Sequence, residues 1–169
     1  RGVGESSLGL PEGTSLYAHW EAMEDAQHYD ALLPDVLAAA QALHAAVGPA
    51  PRRVLLGYSL GAILAGMASA ESGATHVVGI SPPVAKVSLA SFAGCALPKL
   101  FLGGDDDFAF DARRFLEMYR ELPEPRAFRP LPGADHFFRQ EEERVYGELA
   151  PFLLGRPGCY LSDSDGGLP

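Results

Sequence analysis

The fold is decided by the stretch RVLLGYSLGAIL, residues 53–64. Residues 53–58 form a short apolar run that begins at the second residue of the basic pair Arg52-Arg53, which is typical of a buried strand in a parallel sheet. From Leu60 to Glu71 the chain is rich in alanine and other small residues, which predicts a helix that packs closely against its neighbours. Gly57 to Gly61 therefore form a strand-to-helix turn.

The flanking sequence continues the same alternation of strands and helices. Strands are predicted at 75–80, 99–102 and 126–131, and helices at 35–47, around 115–119 and around 145–153. Pro130 places the last strand at a sheet edge, because proline cannot donate to a neighbouring strand. Residues 1–24 are predicted to be loop, with a turn at 11–13. This order predicts an α/β fold with a mostly parallel sheet and helices on both faces.

Composition excludes several function classes. The chain has 169 residues, 47% hydrophobic and 21% charged, as expected for one globular domain with a substantial core. A net charge of −9 argues against nucleic acid and anionic membranes as partners, and no apolar run is long enough to span a membrane. Cys95 and Cys159 lack metal-site spacing and are expected to be structural thiols. The default localisation is soluble, cytoplasmic or organellar.

The motif Gly57-x-Ser59-x-Gly61 predicts a nucleophilic serine at the turn. A tight turn strains the serine backbone and lifts its hydroxyl clear of the sheet, while Gly57 and Gly61 are expected to avoid collisions where strand and helix cross. The helix N-terminus adds positive potential, and the amide of Leu60 points to where an oxyanion would form. A serine that merely caps the helix is the alternative.

A nucleophilic serine requires a histidine base and usually an acid that orients it. Of the five histidines, His136 is the candidate, because it follows the last predicted strand in LPGADHFF, residues 131–138. Ligands of open parallel sheets bind at the C-terminal ends of the strands. A loop histidine without a catalytic role is the alternative. The other four are expected to be surface or packing residues: His19, His28, His44 and His76.

The acid is expected after the preceding strand, where GDDDF, residues 104–108, supplies three aspartates. Three adjacent carboxylates are equally compatible with a solvated acidic turn or a weak divalent-ion site. A metal would recruit further oxygen ligands, and the chain has no loop of fixed spacing that provides them. No metal site is therefore predicted.

Four runs together resemble the α/β-hydrolase superfamily, and within it the small serine hydrolases without a lid domain. The resemblance covers nearly the whole chain except the C-terminal tail. Too few residues separate the 75–80 strand from the 99–102 strand for a lid, so an open pocket is expected. The runs are RGVG (1–4), VLLGYSLGA (54–62), LFLGGDDDF (100–108) and LPGADHFF (131–138).

The resemblance implies roles for individual residues. Ser59 would be the nucleophile and His136 the general base and then the general acid. Asp107, three residues after Gly104, would orient His136, and Asp106 is the fallback. Asp105 and Asp106 are otherwise expected to face water or to cap the next helix. In this family the RGVG loop borders the site.

The chain also departs from the family pattern. The first four strands of the family, and the loop that supplies the second oxyanion donor, would precede Arg1. Residues 1–154 are therefore expected to form the C-terminal three-quarters of a single α/β-hydrolase domain, and 155–169 a disordered tail. The 53–58 strand would then have an open apolar edge.

These observations predict a serine hydrolase that cleaves a carboxylic ester or a related acyl compound without a cofactor. The same triad serves thioesterases, peptidases and C–C hydrolases, so the small-molecule acyl substrate is left general. The alternative is a truncated, catalytically weak or inactive domain that acts in binding or as a scaffold. Phosphate binding at the Gly57 to Gly61 turn is disfavoured because the chain lacks the P-loop lysine.

Overall fold

The computed structural model describes residues 9–155 and contains four strands and five α-helices in that range. Two single-turn 3-10 helices lie at Tyr29–Leu32 and Ala90–Phe92. In chain order the elements are α1 (Leu16–Ala26), α2 (Leu33–Val47), β1 (Val54–Tyr58), α3 (Leu60–Ala68), β2 (His76–Ile80), β3 (Lys99–Gly104), α4 (Ala112–Arg120), β4 (Arg126–Leu131) and α5 (Glu142–Leu153).

The four strands form one parallel sheet in the order β1-β2-β3-β4. Consecutive residues of a strand face opposite sides, so the sheet carries a hydrophobic core on each face. On one face Val77 and Phe101 pack in a cluster with residues of α1, α3 and α4. On the other face Val78 and Leu100 pack with residues of α5. The predicted parallel sheet with helices on both faces is confirmed, and β4 with its proline is an edge strand.

The predicted loop at the start of the chain is wrong beyond residue 15. The expected turn is present, with the amide of Thr14 donating to the carbonyl of Pro11 at 3.1 Å. Helix α1 then begins, and the Ser15 hydroxyl caps it by accepting from the amide of Ala18. Met23 is buried against the core. Helix α1 is stabilised by packing against residues that are distant in the sequence, and a short amphipathic pattern does not predict such packing.

Other expectations fall partly outside the described range. Residues 1–4, 156–169 and Cys159 lie outside it, whereas Cys95 is a buried free thiol. None of the helices in residues 9–155 combines the length and apolar character that a membrane crossing needs.

Strand β1 is the other edge of the described sheet, and its outer side is apolar. Within residues 9–155 it pairs with β2 alone. Leu56 is 45% exposed, and Leu43 of α2 is 61% exposed. Both line a groove of about 450 Å³ between β1 and α2. An exposed apolar strand edge is a template for self-association.

We expect Leu56→Lys to reduce the light scattering of the 1–169 chain and its binding of the dye anilinonaphthalene sulfonate. A charge on an edge strand blocks pairing with another chain. Leu16→Lys is the matched control, because Leu16 is 46% exposed but belongs to α1. Equal effects of the two substitutions would contradict a role for the strand edge.

Candidate active site

Ser59 occupies a strained turn between β1 and α3. Its φ of 53° and ψ of −123° lie in a region that residues with side chains rarely adopt. The turn is held to the next strand by the Ser59 amide, which donates to the carbonyl of Ile80 at 2.9 Å. Ser59 stands at the N-cap position of α3, yet its side chain makes no capping hydrogen bond. Its hydroxyl is therefore available for another partner, which disfavours the capping alternative.

The two glycines of the motif differ in what surrounds them. A Cβ added to Gly57 would lie 1.9 Å from the carbonyl oxygen of Gly61, so β1 and α3 cross too closely for any side chain there. A Cβ added to Gly61 would meet no described atom within 4 Å outside its own helix turn. A steric reason for the glycine is thus found at Gly57, and at Gly61 none is found among residues 9–155.

His136 follows β4 and makes hydrogen bonds at both ring nitrogens. Nε2 lies 3.1 Å from the Ser59 hydroxyl, and Nδ1 lies 2.8 Å from Oδ1 of Asp107. An ionised carboxylate can only accept a hydrogen bond, so Nδ1 carries the proton and donates a hydrogen bond to Asp107. Nε2 then presents its lone pair to the Ser59 hydroxyl, which is the arrangement that a general base needs.

The carboxylate of Asp107 is held by three further donors. Oδ1 also accepts from the backbone amides of Ala109, at 2.7 Å, and Phe110, at 3.2 Å. Oδ2 accepts from the hydroxyl of Ser81. The Asp107 side chain is fully buried. Because both oxygens accept hydrogen bonds from three different segments of the chain, the orientation of the carboxylate toward His136 is fixed.

Ser81 is a site residue that the sequence analysis missed. It lies directly after β2, is fully buried and has a positive φ of 47°. Its amide donates to the carbonyl of Leu102 at 2.8 Å, which ties the turn to β3. A polar residue between a strand end and the prolines that follow was the available signal, but its partner lies far along the chain.

The other two aspartates of the acidic turn are exposed, as expected. Both also make hydrogen bonds to the loop that leads from β4 to His136. Oδ1 of Asp105 accepts from the amide of Gly133. The amide of Asp106 donates to the carbonyl of Ala134 at 3.3 Å. The cap of α4 is Asp111, which accepts from the amide of Arg114. No group of three or more His, Cys, Asp or Glu side chains suited to a metal ion occurs in residues 9–155.

The aromatic rings of Tyr58 and Phe108 lie beside His136, and the sequence analysis did not predict these two contacts. The Tyr58 hydroxyl donates to the backbone carbonyl of His136 at 2.7 Å. Burial raises the pKa of this hydroxyl, and the carboxylates of Asp107 and Asp135 raise it further, so the phenol stays protonated and able to donate. Phe108 is 75% exposed, and the centroid of its ring lies 4.8 Å from the centroid of the His136 imidazole.

The N-terminus of α3 can stabilise a negative charge beside Ser59. Leu60 is the first residue of the helix, and the first amides of a helix have no acceptor within it. The Leu60 amide therefore has no acceptor within its helix and can donate to an oxyanion, with support from the helix dipole.

Comparison with known proteins gives the same fold. The sequence profile of the alpha/beta hydrolase family matches residues 1–166. A search of curated proteins finds no match.

Solved structures are similar in fold at low sequence identity. A serine hydrolase without a lid from Xanthomonas campestris is 21% identical, with a TM-score of 0.69, over 92% of this chain and 63% of that chain. An alpha-beta serine hydrolase homologue from Coxiella burnetii is 22% identical, with a TM-score of 0.60, over 90% and 65%. The esterase domain of a Rhodothermus marinus protein is 19% identical, with a TM-score of 0.59, over 70% and 65%. The chain thus spans less than two thirds of the length of each of these structures.

Proposed function

The chain belongs to the alpha/beta hydrolase family, and we propose that it is a serine hydrolase that cleaves a carboxylic ester or a related acyl compound through an acyl-enzyme intermediate. The observation that carries this proposal is the continuous chain of hydrogen bonds from Ser59 through His136 to Asp107. A strained serine beside an oriented imidazole is the arrangement that activates a hydroxyl for attack on a carbonyl.

In the acylation step the Ser59 oxygen attacks the carbonyl carbon of the substrate while His136 Nε2 takes the hydroxyl proton. The carbonyl oxygen becomes negative and accepts a hydrogen bond from the Leu60 amide. The tetrahedral intermediate collapses, the bond to the leaving group breaks, and Nε2 returns its proton to that group. Asp107 stabilises the imidazolium that forms in between.

In the deacylation step a water molecule replaces the leaving group. Nε2 takes a proton from the water, the resulting hydroxide attacks the acyl carbon, and the bond to the Ser59 oxygen breaks. Nε2 then returns the proton to Ser59. The acid is released and the starting state is restored, so no cofactor is required.

A catalytically weak binding or scaffold domain is the second candidate. It is favoured by the fact that Leu60 is the one oxyanion donor that we assign in residues 9–155. Loss of one donor typically lowers kcat by about 10²-fold to 10³-fold. The second donor and the remaining strands of the domain, expected upstream of Arg1, stay predictions.

We expect a fluorophosphonate probe to label Ser59 and to lose its target in Ser59→Ala. A serine hydroxyl activated by His136 reacts with phosphorus electrophiles, whereas an ordinary buried serine does not. Mass spectrometry of the labelled peptide locates the probe. Ser69→Ala is the control and should keep the label, because Ser69, at the C-terminal end of α3, is buried and its hydroxyl donates to the carbonyl of Gly66. Labelling that persists in Ser59→Ala would rule out the assignment.

A further inference from the structure

A pocket of about 200 Å³ opens beside Ser59 and is not lined by His136. The floor of the pocket consists of buried side chains, since Met23, Tyr29 and Val87 are only 7%, 5% and 7% exposed. The apolar residues that line it come from α1, from the 3-10 helix that follows, from the start of α3 and from the loop after β2: Trp20, Met23, Tyr29, Leu60, Pro83 and Val87.

Helix α1 is fastened over this pocket by contacts with one loop residue. The side-chain amide of Gln27 donates to the backbone carbonyl of Lys86 at 3.0 Å. The Lys86 ammonium lies 3.4 Å from Oε1 of Glu24, and both side chains are largely exposed. Glu24 and Lys86 are the charged residues of the lining, and they are paired with each other. Among residues 9–155 the pocket therefore offers apolar surface and no unpaired charge for an ionic group.

The chemistry at Ser59 decides which part of a substrate can enter. The leaving group must accept a proton from His136 Nε2, so it lies on the histidine side. The acyl group stays bonded to Ser59 and extends the other way, into the space that Leu60 and Val87 border. An apolar cavity of about 150 Å³ accommodates benzene. At the same cavity volume per carbon atom, this pocket accommodates a group of about six to eight carbon atoms.

We propose that the pocket under α1 binds the acyl group of the substrate, and that this acyl group is an uncharged, apolar chain of about six to eight carbons. This inference rests on the proposed function. Trp20, Met23, Tyr29 and Val87 set this preference. Helix α1 is thus part of the substrate site.

Binding to an inactive chain tests this proposal independently of turnover. Trp20 is the single tryptophan of the chain, so its fluorescence reports on this pocket. In the full-chain Ser59→Ala variant, we expect methyl hexanoate to change the Trp20 emission saturably. Its Kd should be lower than that of methyl acetate by about 10-fold or more, because four further methylene groups leave water.

Val87→Phe fills part of the pocket and should weaken hexanoate binding by about 10-fold while changing acetate binding little. Met23→Phe changes a lining residue of α1 and should likewise weaken hexanoate binding more than acetate binding. Val47→Phe is the matched control, because Val47 is 66% exposed and does not line the pocket.

Three results would overturn the proposal. They are no saturable Trp20 response to hexanoate, equal affinities for hexanoate and acetate, and equal effects of Val87→Phe and Val47→Phe. These outcomes are distinct from a failure of the proposed function, which would appear as labelling that does not depend on Ser59.

Discussion

Asp107→Asn is expected to lower the turnover of an ester substrate by about 10⁴-fold. The carboxylate accepts from four donors, namely His136, Ser81 and two backbone amides. An asparagine is neutral, so the negative charge that stabilises the imidazolium of His136 during turnover is lost in either orientation of its amide. Where its amide nitrogen takes the place of Oδ1, it also faces three N–H donors, and Nδ1 of His136 can then no longer donate to it. The measurement is kcat for an ester whose hydrolysis depends on Ser59.

Asp106→Asn is the matched control for this prediction, because Asp106 belongs to the same turn but its side chain is exposed. It should leave kcat nearly unchanged. A large loss in Asp106→Asn with none in Asp107→Asn would move the role to the fallback residue. Small losses in both would count against an acid in this turn.

Gly57→Ala is expected to destabilise the fold by more than about 3 kcal/mol. The added methyl group would lie 1.9 Å from a backbone oxygen of α3, and no side-chain rotation relieves such a contact. Strand β1 and helix α3 would have to separate, and the Ser59 turn lies between them. A shift in the midpoint of urea unfolding measures the loss.

Gly61→Ala is the matched control, because a methyl group there has free space among the described residues. Alanine also has the higher helix propensity, so the expected change is neutral or stabilising by less than about 1 kcal/mol. Equal destabilisation by the two substitutions would show that the crossing of β1 and α3 is not the constraint that we describe.

The elements that were predicted correctly from the sequence carry local signals. The apolar run of β1, the glycine motif and the alanine-rich start of α3 are contiguous, so the turn at Ser59 follows from neighbouring residues alone. The position of His136 beside Ser59, 77 residues away in sequence, required the rule that parallel strands end at one edge of the sheet. The choice of Asp107 over its two neighbours required the family resemblance, and its catalytic role stays a prediction.

The features that were missed depend on contacts between distant segments. Ser81 and Asp107 are 26 residues apart, and nothing adjacent to Ser81 indicates its partner. Helix α1 is held by the loop at Lys86, which is 59 residues from Gln27. The space around Gly61 depends on where neighbouring elements pass. Such contacts are properties of the packed structure, and local sequence patterns do not encode them.

Ser59 and its two proposed partners follow strands that are not paired with each other across the sheet. Ser59 follows β1, whereas Asp107 and His136 follow β3 and β4, and β2 separates the two sides. The Ser59 amide is bonded to the end of β2, and Ser81 links the end of β2 to β3 and to Asp107. The hydrogen-bonded arrangement that we propose to activate Ser59 therefore exists only while three strand pairings keep their register. We therefore expect the rate of covalent labelling at Ser59 to report native sheet alignment and to follow unfolding or misfolding of the chain without any substrate.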